Sequence, residues 1–289
     1  MRPDSLHAKI FLDSGDPAET EMVLDRLGFL DGQTTNPSLI AKNPAATTRL
    51  AQGLRFRAAE VAEFYQDIIR KIARLLPEGS ISIEVYADAR TPAEEMLAEG
   101  RKMSAWIPNA QIKYPITAAG LAAAAESVRA GLRVNLTLCF ASAQAAAVYA
   151  ATQGAAPGQA YISPFIGRLD DRGENGIDLI RNIVHLYRPS DGHVSVLAAS
   201  IRTVDHLLAS ISGGADIITA PAKVLLAWAE QGLPLPGADY IYRTELKPIG
   251  RPEVNLVKNW KEYDIRHELT ERGLEKFVQD WNALVSQER

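Results

Sequence analysis

Short apolar or β-branched runs alternate with helix-length segments eight times between residues 9 and 231, and no other feature constrains the fold as strongly. The runs are Lys9–Asp13, a weak one at Gly32–Asn36, Ile81–Tyr86, Gln111–Lys113, Arg133–Leu138, Ala160–Phe165, Val194–Ala198 and Asp216–Thr219. Between them, apolar spacing predicts helices over about 17–27, 38–76, 92–105, 117–130, 141–152, 174–188, 202–211 and 222–231. The stretch 38–76 is too long for one helix, and Arg55 to Ala73 reads as its main one. Strand–helix alternation predicts a parallel sheet. Eight such units are the count of a closed (β/α)8 TIM barrel. An open doubly wound sheet is the alternative, but no GxGxxG follows the first run.

Two helix starts are legible. Asp16-Pro17-Ala18-Glu19 and Thr91-Pro92-Ala93-Glu94 each place a capping residue, a proline and a glutamate at the spacing of a capping box.

The composition shifts near residue 232, where Gly232–Gly237 and Lys247–Pro252 are breaker clusters. Beyond them Thr270 to Gln287 reads as a helix, with Leu274, Phe277, Trp281 and Leu284 on one face. We therefore expect a barrel over 1–235. Residues 236–289 form a C-terminal extension ending in a helix, packed on the barrel or on a neighbouring subunit.

At 289 residues the chain is long enough for one large core plus an appendage. Lys and Arg number 31 against 35 Asp and Glu, a net charge of −4, so a basic nucleic-acid face is not expected. The single cysteine, Cys139, excludes an intramolecular disulfide and CxxC zinc sites. Cys139 itself reads as a small buried hydrophobe. No histidine spacing resembles HxH or HExxH, which gives a metal-dependent aldolase or hydrolase little support. The first residues lack a signal-peptide core. Apolar stretches such as Leu121 to Ala125 are far shorter than the roughly 20 residues of a membrane span. A cytoplasmic protein without membrane contact is expected.

Chemistry in a parallel barrel gathers at the C-terminal ends of the strands. The polar residues expected there are Asp13, Asn36, Glu84, Lys113, Asn135, Thr137 and Ser163, with Phe165 and Arg168 after the sixth run and Ser200 and Arg202 after the seventh. A lysine at a strand end is desolvated, which favours the neutral amine that Schiff-base chemistry needs. The alternative is a lysine that snorkels to solvent. Asp13 and Glu84 read as proton carriers, or as ion-pair partners of Lys113. Asn36 and Ser200 are equally readable as helix N-caps. Arg168 and Arg202 suit a phosphate near the late loops, or are ordinary surface arginines.

Several strings together resemble the transaldolase and fructose-6-phosphate aldolase family. They are Phe11-Leu12-Asp13-Ser14, Thr34-Thr35-Asn36-Pro37-Ser38-Leu39-Ile40, Glu84-Val85, Ile112-Lys113-Tyr114-Pro115, Asn135-Leu136-Thr137-Leu138, Ser163-Pro164-Phe165-Ile166-Gly167-Arg168 and Ala198-Ala199-Ser200-Ile201-Arg202. They cover about residues 8–230, in the family's order.

The resemblance implies a class I aldol mechanism with neither metal nor organic cofactor. In it Lys113 forms a Schiff base with a ketose phosphate. Asp13 moves the proton of the hydroxyl beside the breaking bond. Glu84 and Thr137 relay protons through a water. Asn36, Asn135 and Ser163 hold the dihydroxyacetone unit, and Arg168, Ser200 and Arg202 hold the phosphate. Glu84 and Phe165 are similar to the transaldolase branch, whereas the fructose-6-phosphate aldolases have Gln and Tyr there. A lyase releasing free dihydroxyacetone and a silent sugar-phosphate-binding barrel stay as alternatives. The partners implied are small-molecule sugar phosphates, and a homo-oligomer is expected. A sulfonate would also fit the arginine pair. Tyr114 departs from the pattern, since an aliphatic residue is more usual beside the lysine.

Overall fold

The computed structural model describes residues 2–286, and its strands close into one parallel barrel in sequence order. These are β1 (Lys9–Asp13), β2 (Gly32–Thr34), β3 (Ser80–Glu84), β4 (Ala110–Pro115), β5 (Val134–Cys139), β6 (Ala160–Pro164), β7 (Val194–Ala198) and β8 (Ile217–Ala220). The seam pairs Lys9 with Ile217 and Leu12 with Ala220. Helices α1 (Pro17–Leu27), α2 (Pro37–Ala41), α3 (Pro44–Ala51), α4 (Ala58–Leu75), α5 (Ala93–Ser104), α6 (Ala118–Arg129), α7 (Ser142–Ala151), α8 (Ile166–Asp170), α9 (Gly176–Tyr187), α10 (Val204–Ser212) and α11 (Ala222–Glu230) follow the strands. The (β/α)8 expectation therefore stands.

Strand alternation divides the side chains between helices and barrel interior. On β4, Ile112 and Tyr114 face outward against Gly100 of α5. The Tyr114 hydroxyl reaches Ser127 Oγ of α6 at 2.9 Å. Lys113, between them, therefore points inward. Inside, Phe11 meets Tyr161 edge-on across the barrel at 6.4 Å. Above that pair the interior is polar. Asn135 Nδ2 donates to Ser82 Oγ at 3.0 Å, and Ser163 Oγ donates to Asn135 Oδ1 at 2.6 Å.

Local details bear out one expectation, that 38–76 is more than one helix, and correct others. The stretch 38–76 is three helices, broken where Asn43 caps α3 with Pro44 following and where α4 starts after Arg57. Strand β2 ends at Thr34 because Asn36 already caps α2. Neither capping box forms. Asp16 caps α1 through Ala18 N at 3.0 Å, but Glu19 bonds Ser14 Oγ instead of the cap backbone. Thr91 Oγ1 is held by Asp88, and α5 starts after Pro92 with no side-chain cap. The short α8 was not expected, whereas α9 matches the helix expected over 174–188 to within two residues.

Past α11 the chain runs as a strap with one 3-10 turn at Trp260–Glu262. Backbone bonds tie it to the loop before α9, with Asn175 N to Lys247 O and Lys247 N to Gly173 O, each 2.8 Å. The strap leads to α12 (Glu268–Leu284), which buries Leu269, Gly273, Leu274, Phe277 and Leu284 against the chain's own barrel, while Trp281 is half-buried. The expected helix ran on to Gln287, which lies outside the described residues. Helix α12 crosses the C-terminal mouth, packing on α2 and the end of β5. Thr270 Oγ1 donates to Leu138 O at 2.9 Å, and Gln144 Nε2 donates to Thr270 Oγ1 at 2.9 Å. No described helix is long and apolar enough to cross a membrane.

Candidate active site

Adjacent strands carry Glu84 and Lys113 at paired register positions, so both side chains enter the barrel side by side. Lys113 Nζ lies 2.9 Å from Glu84 Oε2, and the two side chains are only 3% and 2% exposed. The amine also donates to the Thr35 carbonyl at 3.0 Å. Lys113 therefore does not snorkel to solvent. Burial pushes the Glu84 carboxyl above its ordinary range, opposed by the charge of Lys113 and, from further away, Arg168.

Asp13 ends β1 half-buried, open to the mouth but surrounded by enough barrel atoms that burial pushes its carboxyl up as well. Lys113 and a 2.6 Å bond from Thr34 Oγ1 act in the opposite direction. Thr34 Oγ1 also lies 2.6 Å from Thr219 Oγ1, across the β1–β8 seam. Thr137, paired with Pro115 on the next strand, is fully buried. Its Oγ1 has no hydrogen-bond partner among the described residues.

Lys113, Glu84, Asp13, Asn135, Thr137 and Ser163 thus share the upper interior. Asn36 sits at the end of β2, where its Oδ1 accepts from Leu39 N at 2.9 Å. The capping reading of Asn36 is correct, and its Nδ2 makes no hydrogen bond among the described residues. Ser200 is not a cap, since α10 is capped by Thr203. It holds a left-handed backbone at φ 61°, as does Leu138 at φ 63°. For side chains with a Cβ that conformation is strained, and such strain concentrates at functional sites.

Arg168 and Arg202 differ in their surroundings. The Arg168 guanidinium lies between two rings, 5.1 Å from the centroid of Phe165 and 5.5 Å from that of Phe277 on α12. It makes no hydrogen bond or ion pair among the described residues, and burial lowers its basicity. Arg202 is exposed and pairs with Asp171 at 2.9 Å. Gly167 lets the two loops close. An added Cβ there would lie 2.3 Å from Ser200 O and 2.6 Å from Arg202 Nε. Below, His206 Nε2 of α10 meets Asp170 Oδ2 at 2.8 Å and clasps α8 to α10.

The arrangement pairs a buried amine with a carboxyl, sets a second carboxyl nearby, and places at the mouth a guanidinium that is unpaired among the described residues. It can hold a carbonyl at the amine, exchange protons on two sides of it, and bind an anion at the substrate's far end. Among the described residues no group of three or more His, Cys, Asp or Glu is arranged to hold a metal ion. Cys139 is buried, and its thiol is pushed up to about 12. Residue patterns did not single out Thr34 or the Thr35 carbonyl, although both lie in the Thr34–Ile40 string. Phe277 was expected only as part of an apolar face.

Comparison with known proteins agrees with this geometry. The chain is 33% identical over 276 residues to a probable transaldolase of Dehalococcoides mccartyi, covering 96% of this chain and 99% of that protein. It is 37% identical over 275 residues to a probable transaldolase of Roseiflexus sp. strain RS-1, covering 95% and 97%. Among solved structures, the metallated homocysteine methyltransferase MmuM of Escherichia coli superposes with a TM-score of 0.50 at 15% identity, over 79% of this chain and 97% of that one. That likeness concerns the barrel fold alone. The sequence signature described as Transaldolase/Fructose-6-phosphate aldolase matches residues 10–288. The chain belongs to the transaldolase/fructose-6-phosphate aldolase family.

Proposed function

We propose that the protein is a transaldolase that moves a dihydroxyacetone unit from a ketose phosphate, such as fructose 6-phosphate or sedoheptulose 7-phosphate, to an aldose phosphate. The observation that carries this reading is the buried 2.9 Å contact between Lys113 and Glu84. A carboxyl pushed up by burial can take the proton that the ammonium must lose before it attacks a ketone. Lys113 Nζ adds to the carbonyl carbon, and the carbinolamine loses water to give the Schiff base. Thr137 Oγ1, without a hydrogen-bond partner among the described residues, suits a water that carries protons between Glu84 and the departing hydroxyl. Asp13 takes the proton of the hydroxyl beyond the breaking carbon–carbon bond. The aldose leaves, and an enamine stays on Lys113.

Asn36 Nδ2, Asn135 and Ser163 suit the hydroxyls of the retained unit. Arg168 suits the phosphate, with Ser200 and Arg202 completing its site. Phe165 has no hydroxyl with which to protonate the enamine. The covalent intermediate then waits for an acceptor aldehyde, which supports transfer over release of free dihydroxyacetone. The reading places the protein in pentose phosphate metabolism in the cytoplasm, with no metal or organic cofactor. It also keeps the division into a barrel over 1–235 and an extension over 236–289, and a homo-oligomer in solution.

Borohydride reduction in the presence of fructose 6-phosphate, followed by intact mass and peptide mapping, tests the reading. A stable adduct on Lys113 is expected, lost in Lys113→Ala. An adduct on another residue, or undiminished turnover in that variant, would overturn it. Product analysis with and without erythrose 4-phosphate separates transfer from release.

A further inference from the structure

In a parallel ladder, one residue's N–H and C=O both bond the same neighbouring strand, two residues apart on it. Between β2 and β3 this pattern includes Ser80 N to Asp31 O and Thr35 N to Ser82 O, each 3.0 Å. The next rung would join Glu84 N to Thr35 O, and it is not made. Glu84 N donates instead to the Tyr65 hydroxyl at 3.0 Å. The released Thr35 carbonyl accepts from Lys113 Nζ.

Tyr65 lies on α4, outside the barrel, and its hydroxyl reaches into the gap where the two strands part. The proton directions follow from the partners. Thr35 Oγ1 donates its one proton to Ser82 O at 2.8 Å. The Tyr65 hydroxyl, 2.8 Å away, must therefore donate to Thr35 Oγ1 and accept from Glu84 N. Burial holds the phenol well above its ordinary range, so the donor proton stays in place. The ring is 1% exposed and fixed edge-on by Trp106 at 5.5 Å and by Trp281 of α12 at 5.8 Å.

We propose that Tyr65 is a positioning residue for the amine, because its hydroxyl satisfies the Glu84 backbone and thereby reserves the Thr35 carbonyl for Lys113. The proposal rests on Lys113 being the nucleophile. With the carbonyl reserved, Nζ is held by two acceptors, the Glu84 carboxylate and Thr35 O, and its position relative to the incoming ketone is fixed. Without the hydroxyl, Glu84 N and Lys113 Nζ compete for one carbonyl. A buried N–H lacking its own acceptor is costly enough to draw that carbonyl back into the ladder.

The test is the rate of borohydride trapping by fructose 6-phosphate in wild type, Tyr65→Phe and Trp106→Phe. For Tyr65→Phe, trapping at saturating ketose is expected to fall about tenfold or more, with the half-saturating concentration within about twofold of wild type. A crystal structure of the variant is expected to show Glu84 N within hydrogen-bond distance of Thr35 O. Trp106→Phe loosens the same aromatic cluster but keeps the hydroxyl. It is expected to lower Tm without changing the saturated rate. If Tyr65→Phe does not fold, Thr35→Val removes the acceptor of the Tyr65 proton and is expected to slow the same step. Trapping of Tyr65→Phe at the wild-type rate, with the Lys113–Thr35 contact kept, would overturn the inference and leave the nucleophile intact. An equal rate loss in Trp106→Phe would also overturn it, by assigning the effect to packing. Absence of any trapped ketose in the wild type would remove the nucleophile reading itself.

Discussion

Gly273 of α12 lies so close to Arg168 that a methyl group on its Cα would sit 2.4 Å from Nη1 and 2.7 Å from Leu138 Cδ2. The C-terminal helix therefore forms one wall of the guanidinium's seat. Gly273→Ala is expected to displace Arg168 and raise KM for phosphorylated donors about tenfold, with kcat changed less. The helix itself gains up to about 1 kcal/mol of propensity, which offsets part of the local strain. Steady-state kinetics on fructose 6-phosphate and on fructose check this, and equal losses on both would contradict it.

The two arginines are not expected to contribute equally. Among the described residues Arg168 has no hydrogen-bond or ion-pair partner and is shielded by Phe165 and Phe277, whereas Arg202 is exposed and already paired with Asp171. Exposed pairs are screened and contribute little. Arg168→Ala is expected to raise KM for phosphorylated donors by about tenfold to a hundredfold, and Arg202→Ala by several-fold less. The Arg202→Ala effect should also fade in high salt. Kinetics at low and high ionic strength decide the order.

Asp13 and Lys113 are expected to separate into two chemical steps. In Asp13→Asn the amide still fits beside Thr34, and Lys113 keeps both its partners. Borohydride should then trap the intact donor on Lys113, while cleavage falls by about a thousandfold, within the usual range for a lost general base. Intact mass distinguishes an uncleaved adduct from the dihydroxyacetone adduct of the wild type. A dihydroxyacetone adduct formed at the wild-type rate in Asp13→Asn would assign the base elsewhere.

Glu99 is a pH-dependent weak point away from the mouth. It is half-buried on α5, accepts from Tyr86 N at 3.1 Å, and burial pushes its carboxyl up to about 7. The unfolded chain ionises the same group near its ordinary value of about 4.3. Between those values the folded state holds the extra proton, so this contribution to stability falls as pH rises from about 4 to about 7. Glu99→Gln keeps an acceptor for Tyr86 N and removes that slope. Above pH 7 it is expected to be more stable than wild type by on the order of 1–2 kcal/mol, allowing for partial solvent screening. Urea unfolding at pH 5 and pH 8 measures the difference, which should be clearly larger at the higher pH.

The strands and the candidate site were largely legible in the sequence, because alternation and register are local properties. Once Gln111–Lys113 is a strand end, Lys113 must point inward and Tyr114 outward. That alternation also accounts for the unusual tyrosine, which packs on Gly100 and bonds Ser127. What was not legible depends on contacts distant in sequence. Tyr65 sits among Val61, Ile68, Ile69 and Ile72 on the buried face of α4, and its spacing matches any core residue there. Only the parting of β2 and β3 gives its hydroxyl a role. Helix α8 has five residues, too few to show a period, and the left-handed backbone of Ser200 has no glycine to announce it. The apolar face of α12 was visible, but the surface it covers was not. The amphipathic pattern fixes which side is buried and says nothing about the partner.

The Thr34–Thr219 hydrogen bond spans the seam where the first strand meets the last, and Thr34 in turn holds Asp13. Lys113 is held by Thr35, just past β2, and by Glu84 of β3, and no consecutive stretch of chain contains the whole arrangement. The reactive groups therefore exist as a unit only when the ring is complete. A circular permutant that keeps every strand neighbour should keep the chemistry wherever its new ends lie in a loop. A half-barrel, however well folded, should have none. During folding, competence should arise in a single late step, when the seam closes.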